Sequence, residues 1–115
     1  MDSILTSVKK MLSITEEDEH FDADIIMHIN SVFMILTQIG VGPAEGFTIE
    51  DSSASWSDFI KDTYPVGVEA VKSYMFLKTR MLFDPPSGAV AEASDRMLKE
   101  LEWRLQLLVE PTPYE

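Results

Sequence analysis

The chain has 115 residues, of which 45% are hydrophobic and 25% are charged, as in an ordinary single globular domain. It contains no cysteine, which excludes disulfides, thiolate metal sites and thiol nucleophiles. Twenty acidic against nine basic residues give a net charge of −11, which opposes non-specific attraction to nucleic acids and to anionic membranes. No apolar run reaches the roughly twenty residues of a membrane span, so we expect a cytosolic protein without membrane contact.

The first element is a short helix over residues 3–12, with Ser3 as its cap. Its apolar residues are predicted to lie on one side and its lysines on the other; the apolar set is Ile4, Leu5, Val8, Met11 and Leu12, and the lysines are Lys9 and Lys10. An acidic run follows, formed by Glu16, Glu17, Asp18 and Glu19. A calcium loop starting at Asp18 would need glycine where Ala23 stands and glutamate where Ile29 stands. The run is therefore predicted to be a solvated acidic turn.

The stretch Asp22–Gly40 is the most apolar part of the chain and predicts a long central helix. Its apolar residues recur at steps of three and four and cover most of the circumference. Asp22 is a candidate N-cap, and Gly40 is a natural residue for the helix end because it tolerates positive φ. Phe33 is predicted to lie in the core. We expect the remaining elements to surround this helix.

The connection over residues 40–55 is the longest in the chain. Phe47 and Ile49 are predicted to form a brief extended piece held against the core, followed by the solvated residues Glu50 and Asp51. Ser55–Asp58 resembles a capping box that opens a short helix, and in this helix Trp56 is predicted to be a core anchor.

A second core helix is predicted over Val66–Phe83 and ends before Pro85-Pro86. Its expected core-facing residues include Val68, Val71, Met75 and Leu82.

The last helix is predicted over Ala89–Val109. Its core-facing stripe is predicted to contain Val90, Ala93, Met97, Leu101, Leu105 and Leu108. Leu98, Trp103 and Leu107 fall outside that stripe, and this surplus apolar surface predicts a second contact.

These elements predict an all-α fold: a small bundle of four to five helices around the central helix 22–39, with one long loop, 40–55. Residues 1–110 should form a single domain, followed by an extended tail over 111–115. His20 and His28 have no sequence-local partner for catalysis or metal binding. The glycines near Gly40 lack the pattern of a phosphate-binding loop. We therefore expect no enzymatic activity, no metal and no cofactor.

Four segments together carry a family resemblance: LTSVKKMLSI, FDADIIMHINSVFMILTQIGVG, SWSDF and YMFLKTRMLFDPP. In their order and in their residues these segments resemble the small head-tail connector proteins, the gp6-like connectors, of long-tailed bacteriophages and prophages of Gram-positive bacteria. The resemblance implies a helical virion protein that forms a ring of about a dozen copies beneath the portal protein. Such a ring extends the DNA channel, without binding the DNA specifically, and joins the head to a tail-completion or stopper protein. Its location would be the head–tail interface, after assembly in the host cytoplasm.

Two sets of residues are candidates for this role. The candidate subunit or partner interface is Leu98, Trp103, Leu107 and Tyr114, and the candidate acidic lumen or loop is Glu16, Glu17, Asp18, Glu19, Glu50 and Asp51. Two alternatives remain open at this point. One is a small acidic phage-encoded regulator that binds a basic protein by imitating the charge of DNA. The other is a helical enzyme or ligand-binding domain, which would need a polar-lined pocket.

Overall fold

The computed structural model describes residues 3–60 and 68–109. Within these two ranges there are five helices: α1 (Ile4–Met11), α2 (Asp22–Ile39), α3 (Trp56–Ile60), α4 (Val68–Phe83) and α5 (Gly88–Val109). Within the described ranges there is no strand, and an isolated antiparallel bridge joins Ser3 to Ser55. The predicted all-α bundle is thus confirmed. The predicted tail, with Tyr114, and the predicted helix start at Val66 lie outside the described residues.

Helix α2 is the centre of the bundle and packs against α1, α4 and α5. Its buried residues are Ile25, Ile29, Val32, Phe33 and Leu36. The helix ends at Gly40 as predicted: φ is 103°, and the amide donates to the carbonyls of Leu36 and Thr37. The predicted start is wrong by one residue. Phe21 occupies the N-cap position without a side-chain hydrogen bond, and Asp22 is the first helical residue.

One line of α2 is left uncovered. Met27 and Met34 are 57% and 60% exposed, and residues seven apart lie on the same side of a helix. The expectation that the domain surrounds α2 on all sides is therefore wrong along this line. The reason is that α1, α4 and α5 all approach the side that carries Ile25, Ile29 and Leu36.

Helix α1 begins at its predicted cap, where the Ser3 hydroxyl accepts from the Thr6 amide at 3.3 Å. Two of its side chains are placed opposite to expectation. Lys9 is buried and Met11 is exposed, because Lys9 turns toward the first residue of α2 while Met11 lies at the end of the helix beside an open groove against α4.

The side chain of Asn30 fastens the loop after α2 to the helix. The Asn30 amide donates to the Ile49 carbonyl at 3.0 Å, and its oxygen accepts from the Ile49 amide at 2.8 Å. Asn30 thereby acts as a neighbouring strand would, satisfying both backbone groups of a buried residue. The prediction that this part of the loop is fastened to the core is confirmed, although the role of Asn30 was not predicted.

Aromatic rings fill the space between α2, the loop and α3. The Phe33 ring lies 4.7 Å from that of Phe59 and 5.1 Å from that of Phe47, centroid to centroid. Trp56 is fully buried, as predicted, and its indole N–H donates to Ser7 Oγ at 3.0 Å.

The predicted capping box of α3 is also present. The Ser55 amide donates to the Asp58 carboxylate at 2.8 Å, and the Asp58 amide donates to Ser55 Oγ at 3.4 Å. Each residue thus satisfies a backbone group at the helix start.

Helix α4 packs on α2 with Val71, Tyr74, Met75 and Thr79. One prediction for it is wrong. Leu82, expected in the core, is 42% exposed because Phe83 takes the core-facing place in the last turn of α4. Thr79, for which no prediction was made, is fully buried. The Thr79 hydroxyl donates to Met75 Sδ at 3.4 Å, so this buried polar group has a partner.

Helix α5 is rotated from its predicted orientation. Leu98 is buried at 4% exposure and Leu105 is fully buried, whereas four residues expected to face the core are exposed. Those four are Val90, Ala93, Met97 and Leu108. The observed core-facing line runs through Ala91, Ser94, Leu98, Leu101 and Leu105. Ala91 and Ser94 are small and only weakly apolar. In the first turns of α5 the larger apolar residues, Val90 and Met97, lie on the neighbouring line, and the sequence pattern therefore predicted that line to face the core.

Candidate functional site

The predicted interface on α5 is divided by this rotation. Leu98 belongs to the core and is not available to a partner, which corrects its assignment. Trp103 and Leu107 are 58% and 51% exposed. They lie one helical turn apart on the side opposite Leu98 and Leu105, and we call this pair the α5 ridge. A tryptophan and a leucine exposed together are the kind of apolar surface that a partner covers. Tyr114 lies beyond the described residues.

The two predicted acidic segments meet in the fold. Glu16 and Glu19, from the turn before α2, line one cavity together with Asp51, from the loop after it. The cavity has a volume of about 380 Å³, and its other lining residues are Leu5, Thr6, Lys9, Asp22 and Ser52. We call this cavity the acidic cleft. Glu17, Asp18 and Glu50 are exposed beside these residues in the chain.

Lys9 is the cation of the acidic cleft, and its side chain is only 3% exposed. Its ammonium lies 2.8 Å from Asp22 Oδ1 and donates to the Glu16 carbonyl at 3.0 Å. Asp22 Oδ1 takes no hydrogen bond from the described part of the chain, so its link to Lys9 is an ion pair without hydrogen-bond geometry. Lys9 thereby joins α1, the acidic turn and the start of α2. The acidic run close behind Lys9 was the one sequence signal for this role.

Asp51 keeps a negative charge at the rim of the cleft. The Ser53 hydroxyl donates to Asp51 Oδ1 at 2.5 Å and the Ser53 amide donates to it at 2.8 Å. These two hydrogen bonds, the hydroxyl first, hold the pKa of Asp51 below its ordinary value, because they favour the ionised carboxylate.

The cleft contains four carboxylates and one ammonium, which gives it an excess of negative charge. Within residues 3–60 and 68–109, no group of three or more histidine and acidic side chains is placed to hold a metal ion. The arrangement can repel an anion and attract a cationic surface. Among the described residues, no helix has the length and hydropathy of a membrane span.

Comparison with known protein families places this chain in a family. A family model described as phage connector protein matches residues 4–112 of this chain, from the start of α1 to beyond the end of α5. Searches of curated proteins and of solved structures each returned no match.

Proposed function

The chain belongs to the phage connector protein family, and from this premise we propose that it forms a ring beneath the portal protein. The protein is a phage head–tail connector and therefore a structural component of the virion. In the proposal, the ring contains about a dozen copies, extends the DNA channel, and joins the head to a tail-completion or stopper protein. The subunits are made in the host cytoplasm and assemble there. The family match over residues 4–112 is the observation that carries the proposal.

The exposed apolar surface of α5 supports an assembly role. The α5 ridge presents Trp103 and Leu107 to solvent, and tryptophan is among the residues that contribute most to protein interfaces. The neighbouring positions of the helix are charged, with Lys99, Glu100 and Arg104 in ion pairs along the helix. An apolar centre with a charged surround is the usual anatomy of an interface. We assign the α5 ridge to contact with a partner, either a neighbouring subunit or the portal protein.

The acidic cleft supports the channel role. Glu16, Glu19 and Asp51 share one surface, and the hydrogen bonds from Ser53 hold the pKa of Asp51 below its ordinary value. A channel wall with carboxylates repels the phosphates of DNA and lets the duplex pass without specific binding. In the proposed ring the acidic cleft, with the adjoining Glu17, Asp18 and Glu50, faces the channel axis.

Electron microscopy of the chain assembled with the portal protein of its own phage tests this proposal. We expect a closed ring coaxial with the portal, with Glu16, Glu19 and Asp51 turned toward the axis. If a ring forms with the acidic cleft on its outer wall, ring formation is supported but the assignment of the cleft to the channel lumen is wrong. A complex of one copy with one basic protein, and no ring, would contradict the proposal and favour the DNA-charge mimic.

A further inference from the structure

Two apolar surfaces remain outside the core and the α5 ridge, and the first lies on α2. Met27 and Met34 are exposed on its uncovered line, and Met34 borders a groove of about 480 Å³ between α2 and residues 45–48. We call this surface the α2 face; it comprises Asp24, Met27, Ser31, Met34, Gln38 and Glu45. Its charged members, Asp24 and Glu45, are both acidic, and neither has an ion-pair partner among the residues that the structure describes.

The second surface crosses α1, α4 and α5. One cavity of about 290 Å³ lies between Met11 and α4, another of about 420 Å³ lies between α4 and α5, and Leu77 lines both. We call this surface the α4–α5 face; it comprises Met11, Leu77, Arg80, Val90, Ala93 and Met97. Met11, Val90 and Met97 are about half exposed or more. Arg80 is exposed at the edge of this surface and pairs with no acidic side chain in the described ranges.

These surfaces point away from each other. Helices α2 and α4 pack together through their buried stripes, which include Ile29 and Leu36 on α2 and Val71 and Met75 on α4. Met34 lies on the far side of α2, and Leu77 and Arg80 lie on the far side of α4. One subunit therefore carries two different apolar surfaces in opposite directions. A head-to-tail contact between copies requires that arrangement, whereas a two-fold contact uses one surface twice.

We infer that the α2 face of one copy packs on the α4–α5 face of the next copy around the ring. This inference rests on the proposed function, and the occupant of each surface is a second copy of this chain. The charges support that choice. Arg80 of the next copy offers the acidic Asp24 and Glu45 a cation that has no acidic partner within the described residues of its own chain. With a net charge of −11 on every copy, complementary charge at the contact decides which surfaces can approach.

Methionine suits both surfaces of such a contact. Its unbranched side chain and polarisable sulfur adapt to an irregular neighbour, and the two faces together contribute Met11, Met27, Met34 and Met97. The α5 ridge lies outside both faces, so the contact leaves Trp103 and Leu107 available to the portal protein or the stopper.

The absence of cysteine from the sequence makes a cross-linking test direct. Met34→Cys and Met97→Cys place single thiols on the two faces, and a short bismaleimide joins thiols that lie close together without requiring disulfide geometry. Assembly is carried out with the portal protein. We expect a mixture of the two single variants to give covalent dimers, either variant alone to give none, and the double variant to give a ladder of multimers up to the ring size.

A matched control replaces Met97→Cys by Trp103→Cys, which puts an equally exposed thiol on another side of α5. Dimers between Met34→Cys and Trp103→Cys, with none between Met34→Cys and Met97→Cys, would overturn the inferred contact. Dimers of Met34→Cys alone would overturn it as well, because they indicate a two-fold contact. In both cases rings seen by electron microscopy would leave the proposed function standing. If the wild-type chain forms no ring with the portal protein, the proposed function fails together with the inference.

Discussion

Helices α2 and α5 are the two longest of the described helices, and they use their apolar residues differently. Helix α2 has 18 residues and buries five apolar side chains, whereas α5 has 22 residues and buries two. The difference arises from position: α2 has α1, α4, α5 and the aromatic loop around it, while α5 packs on α2 and α4 along one side. Substitutions in α2 should therefore act on stability, and substitutions on the outer side of α5 should act on assembly.

Among substitutions that only shorten a side chain, the largest effect is expected for Phe33→Ala in α2. The change removes a fully buried ring that touches the rings of Phe47, Trp56 and Phe59. Removal of a packed aromatic side chain costs about 3–5 kcal/mol because it loses burial and leaves a cavity. Urea unfolding followed by circular dichroism measures this loss, which is a large part of the stability of an ordinary domain.

Met34→Ala is the matched control for Phe33, since it is the next residue of the same helix and is 60% exposed. It should change the free energy of unfolding by about 0.5 kcal/mol or less, as for other surface substitutions. Equal losses for Phe33→Ala and Met34→Ala would show that Met34 is buried in solution. That result would contradict the difference between the stabilising role of α2 and the assembly role of the outer side of α5.

A smaller effect is expected for Tyr74→Phe, which removes one polar link between α4 and α5. The Tyr74 hydroxyl is buried and donates to Glu102 Oε2 at 2.7 Å. A hydrogen bond to a charged group contributes about 1.5–3 kcal/mol. Because Glu102 is partly exposed, water can replace the lost donor, and we expect a loss at the low end of that range. Chemical unfolding at neutral pH measures the difference.

Alkaline pH gives a second measurement on the same pair. Burial, and then the hydrogen bond to Glu102, raise the pKa of Tyr74 above its ordinary value of 10.0. The unfolded chain ionises this tyrosine near that ordinary value while the folded chain keeps the proton, so above it the unfolded state binds fewer protons. The contribution of Tyr74 to stability is thus fully present at pH values below the ordinary tyrosine pKa, and it is lost as the pH rises above that pKa. Stability should fall less steeply with alkaline pH in Tyr74→Phe than in the wild type, and identical slopes would contradict the buried placement.

The parts of the fold that depend on local sequence were predicted well. The end of α2 at Gly40 and the capping box of Ser55 and Asp58 are fixed by residues within a few positions of each other, and both are confirmed. The pairing of Asn30 with Ile49 and that of Lys9 with Asp22 were not predicted. Each joins residues that only the packed chain brings together. Asn30 has no short-range signal, and for Lys9 the acidic run that follows it in the sequence is the one signal.

The candidate surfaces were predicted less well because they depend on the rotation of α5. Leu98 and Met97 are adjacent and similarly apolar, and a rotation of one position exchanges the buried residue for the exposed one. The sequence of this helix contains more apolar residues than one core-facing side needs, and in the structure several of them, including Trp103 and Leu107, are exposed. The particular side follows from the contacts of Leu98 and Leu105 with α2 and α4, and these contacts are tertiary.

The smallest effect on stability is expected for Trp103→Asp on the α5 ridge. The side chain is 58% exposed, so a charged replacement should change the free energy of unfolding by about 0.5 kcal/mol or less, while the variant loses its place in the complex with the portal protein. Leu98→Asp on the same helix is the contrasting variant. It places a charge where the wild type is 4% exposed and should unfold the domain, because an unpaired buried charge has no compensating partner. Helicity, urea unfolding and co-assembly with the portal protein separate the two variants. If Trp103→Asp unfolds the monomer as Leu98→Asp does, Trp103 is part of the core; if it folds and still co-assembles, the α5 ridge contacts no partner. Only a folded chain that fails to assemble supports the division of α5 into an inner side for folding and an outer side for function.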